Sequence, residues 1–108
     1  NVEWVAIDGP QKARVYVVER GCGPTLACGS GACAVVAAGV KEMLLNRQCC
    51  VILPGGELQV SYLSGDGALQ KSDALQEYIE LTGPARLSFQ GSFDLLAFLS
   101  ANPAVLGD

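Results

Sequence analysis

A run of small and apolar residues from Gly29 to Leu45 constrains this chain more than any other feature. The run consists almost entirely of Ala, Val, Gly, Cys, Leu and Met, and charge enters it only at Lys41 and Glu42. A helix over these residues would be apolar on every side, and such helices are buried. The run therefore predicts one interior helix with strands packed closely on all sides.

The remainder of the chain is typical of strands and turns, because β-branched and aromatic residues alternate between Gly- and Pro-containing breaks. Three strand pairs are predicted, at residues 1–7 and 13–20, 49–53 and 57–63, and 77–81 and 85–89. A short helix capped by Ser92 is predicted over residues 92–101. The polar stretch from Ser64 to Asp73 is predicted to be an exposed loop.

Composition limits the classes of protein to which the chain can belong. With 108 residues, half of them hydrophobic, it suits a single domain with one core. A net charge of −4 with seven Lys and Arg residues disfavours nucleic acid and anionic membrane partners. The longest apolar run, Ala32 to Val40, is too short to span a bilayer. No signal peptide pattern precedes this run, so we expect a cytoplasmic protein. Because a strand pattern begins at Asn1 itself, we also expect the chain to be a piece of a longer one.

The five cysteines do not have the pattern of a disulfide framework or a metal site. Their number is odd, they lie in apolar or glycine-rich settings, and no C-x2-C unit is present. We therefore expect reduced thiols and no metal. The five cysteines are Cys22, Cys28, Cys33, Cys49 and Cys50. Cys33, Cys49 and Cys50 fit the usual behaviour of buried cysteine as an inert small hydrophobe.

The start of the helix is predicted to bind an anion. A strand ends shortly before it, and the helix begins close to Cys28. The amides of Gly29, Ser30 and Gly31 then have no helical partners. Free amides and the positive end of the helix dipole favour a carboxylate or phosphate, and the flanking glycines keep side chains away from it. A helix N-terminus also stabilises a thiolate, so Cys28 is a candidate acid or base.

Other motifs that use such a turn do not fit. A P-loop requires a Lys after its second glycine, and none follows Gly29 or Gly31. The dinucleotide pattern G-x-G-x-x-G fails because Leu26 stands at its last position. A thiol hydrolase requires a histidine beside its cysteine, and the chain has no histidine.

The segment "ERGCGPTLACGSGACA", residues 19–34, resembles the signature around the second catalytic cysteine of the diaminopimelate epimerase family. "NVEWV", "LPGGEL" and "LTGPA" resemble flanking segments, so the resemblance covers residues 1–93. It implies an α+β fold in which an antiparallel sheet curls, or closes into a barrel, around one central buried helix. It also implies that residues 1–108 are one domain, the second half of a two-domain enzyme, with residues 94–108 as a C-terminal extension.

The resemblance further implies the chemistry of an amino acid epimerase that uses no cofactor. Two thiols act on opposite faces of the substrate, and they interconvert LL- and meso-2,6-diaminopimelate. Cys28 resembles the thiol of the second half. The other thiol belongs to an N-terminal domain that this sequence lacks, and the active site lies between the two halves.

The substrate-binding residues are also carried over from the resemblance. The amides of Gly29 and Ser30 would hold the carboxylate at the reacting carbon. Glu19 and Arg20 resemble the pair at the far end of the substrate, where Arg20 would bind the second carboxylate. Asn1 matches a family asparagine that reaches the same carboxylate, although it stands at a chain end, where disorder is common. Without the motif, an ordinary solvated strand end would be the preferred interpretation of Glu19-Arg20.

Several alternatives stay open. Another racemase of the same superfamily, similar to proline racemase, would share the thiols but not the distal carboxylate site. A non-catalytic module would use only the anion site, and a redox protein would pair Cys28 with Cys22 or Cys33. Cys22 and Pro24 depart from the usual family pattern, and Cys22 is a candidate for an unwanted disulfide near the site. Phe89 is a candidate interface residue of a homodimer.

Overall fold

The computed structural model describes residues 1–65 and 77–103, which form an α+β fold with two helices and a six-stranded sheet. The predicted class is confirmed. The elements are β1 (Val2–Gly9), β2 (Lys12–Glu19), β3 (Gly23–Thr25), α1 (Gly29–Lys41), β4 (Gln48–Leu53), β5 (Gly56–Ser64), β6 (Glu77–Thr82) and α2 (Leu95–Ala101). Neither helix in this part of the chain is both long and apolar enough to cross a membrane.

The sheet is mixed and open. Its strands run in the order β1-β2-β4-β5-β6, and β3 also pairs with β2. Every pairing is antiparallel except that of β2 with β4, which is parallel. The parallel pair departs from the purely antiparallel sheet that was expected, because the chain returns from β2 to β4 through α1, a crossover long enough to bring the two strands into the same direction.

The core lies between one side of α1 and the inner face of the sheet. In β2 the alternate residues Ala13, Val15 and Val17 are buried. In α1 the buried positions Ala32, Val35 and Val36 follow the helical repeat of three and four residues. The helix contacts β1, β5 and β6, so the sheet curls around it.

The opposite side of α1 corrects the expectation that strands would cover the helix all round. Ala34 and Ala38 are exposed, and Cys33 and Ala37 are only half-buried. The open sheet leaves this side of the helix uncovered. The burial of the helix is therefore one-sided in the part of the chain that the structure describes.

The helix also ends earlier than its apolar composition predicted. It stops at Lys41, and Met43 follows with a φ of 59° in the left-handed region. The amides of Leu44 and Leu45 both donate to the carbonyl oxygen of Gly39, so a C-terminal turn replaces further helix. The Leu45 side chain folds back against Gly39, where an added Cβ would lie 2.5 Å from Leu45 Cδ1.

Two predicted features near the C-terminus are wrong. Residues 85–89 form no strand, and β6 pairs with β5 instead. The cap of α2 is Asp94 and not Ser92, because Asp94 Oδ1 accepts a 2.9 Å hydrogen bond from the amide of Ala97. The first two strand pairs are confirmed as β1–β2 and β4–β5. Beyond Gly65, the predicted loop of residues 64–73 lies outside the described residues.

Candidate active site

Cys28 occupies the N-cap position of α1, as the sequence predicted. Its backbone is extended, with φ −140° and ψ 108°, and its Sγ accepts a 3.4 Å hydrogen bond from the amide of Gly31. The cysteine thus takes the role that Ser, Thr or Asp usually has at a helix N-cap. Its side chain is buried at 8% exposure, so the thiol is both oriented and shielded.

The three amides that follow Cys28 at the start of α1 have different roles. Of the three amides predicted to be free, that of Gly31 is used by the Cys28 sulfur. Within residues 1–65 and 77–103, the amides of Gly29 and Ser30 have no hydrogen-bond acceptor. The Ser30 hydroxyl lies 3.4 Å from Cys28 Sγ. An anion at the start of α1 would therefore meet two amides, a hydroxyl and the thiol together.

Asn1 has a defined position beside the thiol. Its Nδ2 lies 3.8 Å from Cys28 Sγ, and its Oδ1 accepts a 3.0 Å hydrogen bond from the Arg20 amide. These contacts bring the end of β2 next to the start of α1. The structure therefore brings Asn1, Arg20 and Cys28 together from three separate segments of the chain.

Glu19 and Arg20 differ in how much of their bonding capacity is already used. Glu19 Oε1 accepts a 2.6 Å hydrogen bond from the Thr25 hydroxyl, across the turn between β2 and β3. The guanidinium of Arg20 makes no hydrogen bond or ion pair with the part of the chain that the structure describes, and the residue is exposed. Arg20 is therefore available to bind an anionic ligand, whereas one carboxylate oxygen of Glu19 is already used to stabilise the turn.

Glu3 and Leu81 line this site, and sequence reasoning missed both. An added Cβ on Gly31 would lie 2.6 Å from Glu3 Oε1, and one on Gly29 would lie 2.9 Å from Leu81 Cδ2. The glycines therefore make room for side chains of the protein itself, and not only for a ligand. For Glu3 the signal was present in the sequence, because residues two positions apart in the strand predicted over residues 1–7 point to the same face, which places Glu3 beside Asn1.

Of the three cysteines expected to be inert and buried, Cys49 is buried, whereas Cys33 and Cys50 are only half-buried. Burial raises the pKa of Cys33, and the nearby Cys28 thiol raises it further. Burial likewise raises the pKa of Cys49, with a smaller contribution from Cys50. No disulfide joins any of the five cysteines, all of which lie in the described segments, and Cys22 is exposed. Across residues 1–65 and 77–103, no three His, Cys, Asp or Glu side chains are grouped to hold a metal ion.

Comparison with known proteins shows which family this chain is similar to. Residues 1–86 match the family described as diaminopimelate epimerase. The chain is 43% identical over 95 residues to a diaminopimelate epimerase of Picosynechococcus, covering 88% of the chain and 30% of that relative. It is 43% identical to one of Carboxydothermus hydrogenoformans, over 88% of the chain and 31% of the relative. A chloroplastic diaminopimelate epimerase of rice is 42% identical over 92 residues, which cover 85% of the chain and 23% of the relative. The chain thus spans less than a third of the length of these relatives.

Proposed function

This chain belongs to the diaminopimelate epimerase family, and on that premise we propose that it supplies one side of the active site of an epimerase acting on 2,6-diaminopimelate. The observation that carries the proposal is the position of Cys28, whose buried thiol caps α1 beside the amides of Gly29 and Ser30, which have no acceptor among the described residues. A thiol and an anion site at one helix terminus suit proton transfer at the carbon next to a carboxylate.

The proposed reaction is a proton exchange between two thiols and the α-carbon. A thiolate on one face removes the α-proton and becomes a thiol, and the bonding electron pair stays on the carbon. A thiol on the other face then delivers its proton to that carbon and becomes a thiolate. The configuration inverts, which interconverts the LL and meso forms. Cys28 acts on one face, and no cofactor takes part in this scheme.

Substrate binding is proposed to use the two ends of the site. The carboxylate at the reacting carbon accepts hydrogen bonds from the amides of Gly29 and Ser30, which offset the charge that develops as the proton leaves. Arg20 binds the far carboxylate, since its guanidinium has no partner within the described residues. Asn1 assists Arg20, and Glu19 binds at the same distal end.

The second thiol is proposed to come from an N-terminal domain that this chain lacks. Cys28 can reach only one face of a bound α-carbon, and the relatives are more than three times as long as the segments that match. We therefore interpret residues 1–108 as one domain, the second half of a two-domain enzyme, with residues 94–108 as its extension. The active site then lies in the cleft between the halves.

The cellular setting follows from the substrate. Diaminopimelate interconversion would serve the synthesis of lysine and peptidoglycan precursors, and the cytoplasm is the proposed compartment. Five unpaired cysteines suit a reducing environment. A homodimer is proposed as the assembled state, with Phe89, which is 86% exposed, as a candidate interface residue.

The proposal is tested in the full-length protein that carries this segment, by solvent deuterium incorporation and chiral chromatography of diaminopimelate. Cys28→Ala should abolish inversion, and Cys28→Ser should leave at most a trace, because a hydroxyl is too weak an acid to exchange the proton at neutral pH. Cys22→Ser is the matched control, since Cys22 is exposed and unpaired. If Cys28→Ala still exchanges and inverts the α-proton, the proposal fails.

Measurements of substrate affinity distinguish residues that act in catalysis from residues that bind the substrate. Calorimetric titration of Cys28→Ala should show affinity reduced by no more than about tenfold, because the amides and Arg20 remain. Arg20→Lys should weaken binding while both thiols still work, since Lys cannot form the bidentate contact. Inversion of proline in place of diaminopimelate would identify a different racemase of the same superfamily.

A further inference from the structure

Glu3 is a half-buried carboxylate on the inner face of β1 that lies against the start of α1. An added Cβ on Gly31 would lie 2.6 Å from Glu3 Oε1 and 3.3 Å from Cys28 Sγ. The carboxylate and the thiol therefore both border the same small space beside Gly31. Within the described ranges, 1–65 and 77–103, Glu3 makes no hydrogen bond or ion pair, so it is not held there by a polar partner of its own.

We propose that Glu3 is a positioning residue for the Cys28 thiol. Gly31 holds the sulfur through its amide, at 3.4 Å, and the Glu3 carboxylate lies against the same glycine. Packing of the carboxylate against the Gly31 Cα resists rotation of the first turn of α1, which would carry the amide away from Sγ. The importance of this packing for catalysis rests on the proposed function, but the packing itself does not.

In this proposal Glu3 holds the Cys28 thiol in place through the volume that its side chain occupies and not through its charge. Gln has nearly the same shape as Glu and would fill the same space, whereas Ala would leave it empty. Gly31→Ala would place a methyl carbon 2.6 Å from Glu3 Oε1, which is a clash, and 3.3 Å from Cys28 Sγ, which is a tight contact. In Glu3→Ala/Gly31→Ala, that methyl group fills the space that the carboxylate has left.

The experiment measures alkylation of Cys28 by iodoacetamide in the intact chain, with the modified cysteine located by mass spectrometry. Glu3→Ala should accelerate modification of Cys28 by about threefold to tenfold, because a first turn that rotates more easily exposes the buried sulfur more often. Glu3→Gln should react like the parent, and Glu80→Ala, an exposed carboxylate on β6, is the matched control. The double variant should return toward the parent rate.

Two results would overturn the proposal. One is parent-like alkylation of Cys28 in Glu3→Ala, and the other is equal acceleration in Glu3→Gln and Glu3→Ala, which would assign the effect to charge. Circular dichroism melting curves of all the variants distinguish a local change at the thiol from general unfolding. Should Gly31→Ala not fold, the three single variants of Glu3 and Glu80 decide the question. Because alkylation requires no turnover, this test can fail while the proposed epimerase activity holds, and the reverse is also true.

Discussion

The carboxamide of Asn1 contacts the sulfur of Cys28, although 27 positions separate the two residues along the chain. The same carboxamide accepts a hydrogen bond from the backbone of Arg20. One side chain therefore links the thiol to the residue proposed to bind the far carboxylate. The distance between Cys28 and Arg20 therefore depends on the side chain of Asn1.

Asn1→Ala should reduce the catalytic efficiency of the full-length enzyme without abolishing it. The substitution removes the contact with Cys28 Sγ and the acceptor of the Arg20 amide. Loss of a hydrogen bond of ordinary strength, about 0.5–1.5 kcal/mol, corresponds to a fall in kcat/KM of roughly two- to thirteenfold. Steady-state kinetics beside Asn46→Ala, an exposed asparagine away from the site, would measure it. Equal kcat/KM in parent and Asn1→Ala would show that this link is dispensable.

The 108-residue chain alone should not epimerise diaminopimelate. The proposed reaction needs a thiol on each face of the α-carbon, and Cys28 serves one of them. Chiral chromatography after prolonged incubation with the purified chain measures the outcome, and the full-length enzyme is the positive control. Turnover by the isolated chain that is lost in Cys28→Ala would show that the second proton donor lies within these residues, contrary to the proposed division of the site.

Two alanines of α1 should respond differently to enlargement. Ala32 is fully buried against the sheet, so Ala32→Leu should overpack the core and lower the free energy of unfolding by about 1–3 kcal/mol. Ala38 lies on the exposed side of the same helix, and Ala38→Leu should change it by less than about 0.5 kcal/mol. Urea unfolding followed by circular dichroism provides both values. Equal destabilisation by the two substitutions would mean that both sides of α1 are packed.

The β1–β2 hairpin should contribute a small acid-sensitive increment of stability. Arg14 donates hydrogen bonds of 2.7 and 2.9 Å to Asp8, and this pairing lowers the pKa of the Asp8 carboxyl below its ordinary 3.8. A lowered folded-state pKa means that the contribution is complete above pH 3.8 and is lost as the pH falls through the folded value. The pair is exposed, so the effect is small.

Thermal melting curves between pH 6 and pH 2 would test this increment. Asp8→Asn should melt below the parent at the upper end of the range and converge with it at the lower end. Glu80→Gln, which removes a carboxylate without an ion partner among the described residues, is the control. A constant difference between parent and Asp8→Asn across the range would contradict the assignment.

Features that depend on neighbouring residues were predictable from the sequence. The helix start at Cys28 follows from the glycine-rich turn before it, and the β1–β2 and β4–β5 pairs follow from strand patterns separated by short turns. The amides of Gly29 and Ser30, which have no acceptor within the described residues, were predictable for the same reason, because free amides are a property of any helix start. The resemblance of residues 19–34 to a known signature then identified the family, which no single local pattern could have done.

The tertiary structure alone decided which segments meet and which side of each element is covered. Composition predicted a helix to Leu45, but the return of Leu45 onto Gly39 ends it at Lys41. Local pattern paired residues 77–81 with 85–89, whereas β5 offered β6 a longer partner. The contacts of Asn1 and Glu3 with the start of α1 likewise join segments that are distant in sequence. Such contacts depend on how the sheet curls. The free energy that favours one curvature is summed over the whole core, so no short stretch of sequence determines that curvature.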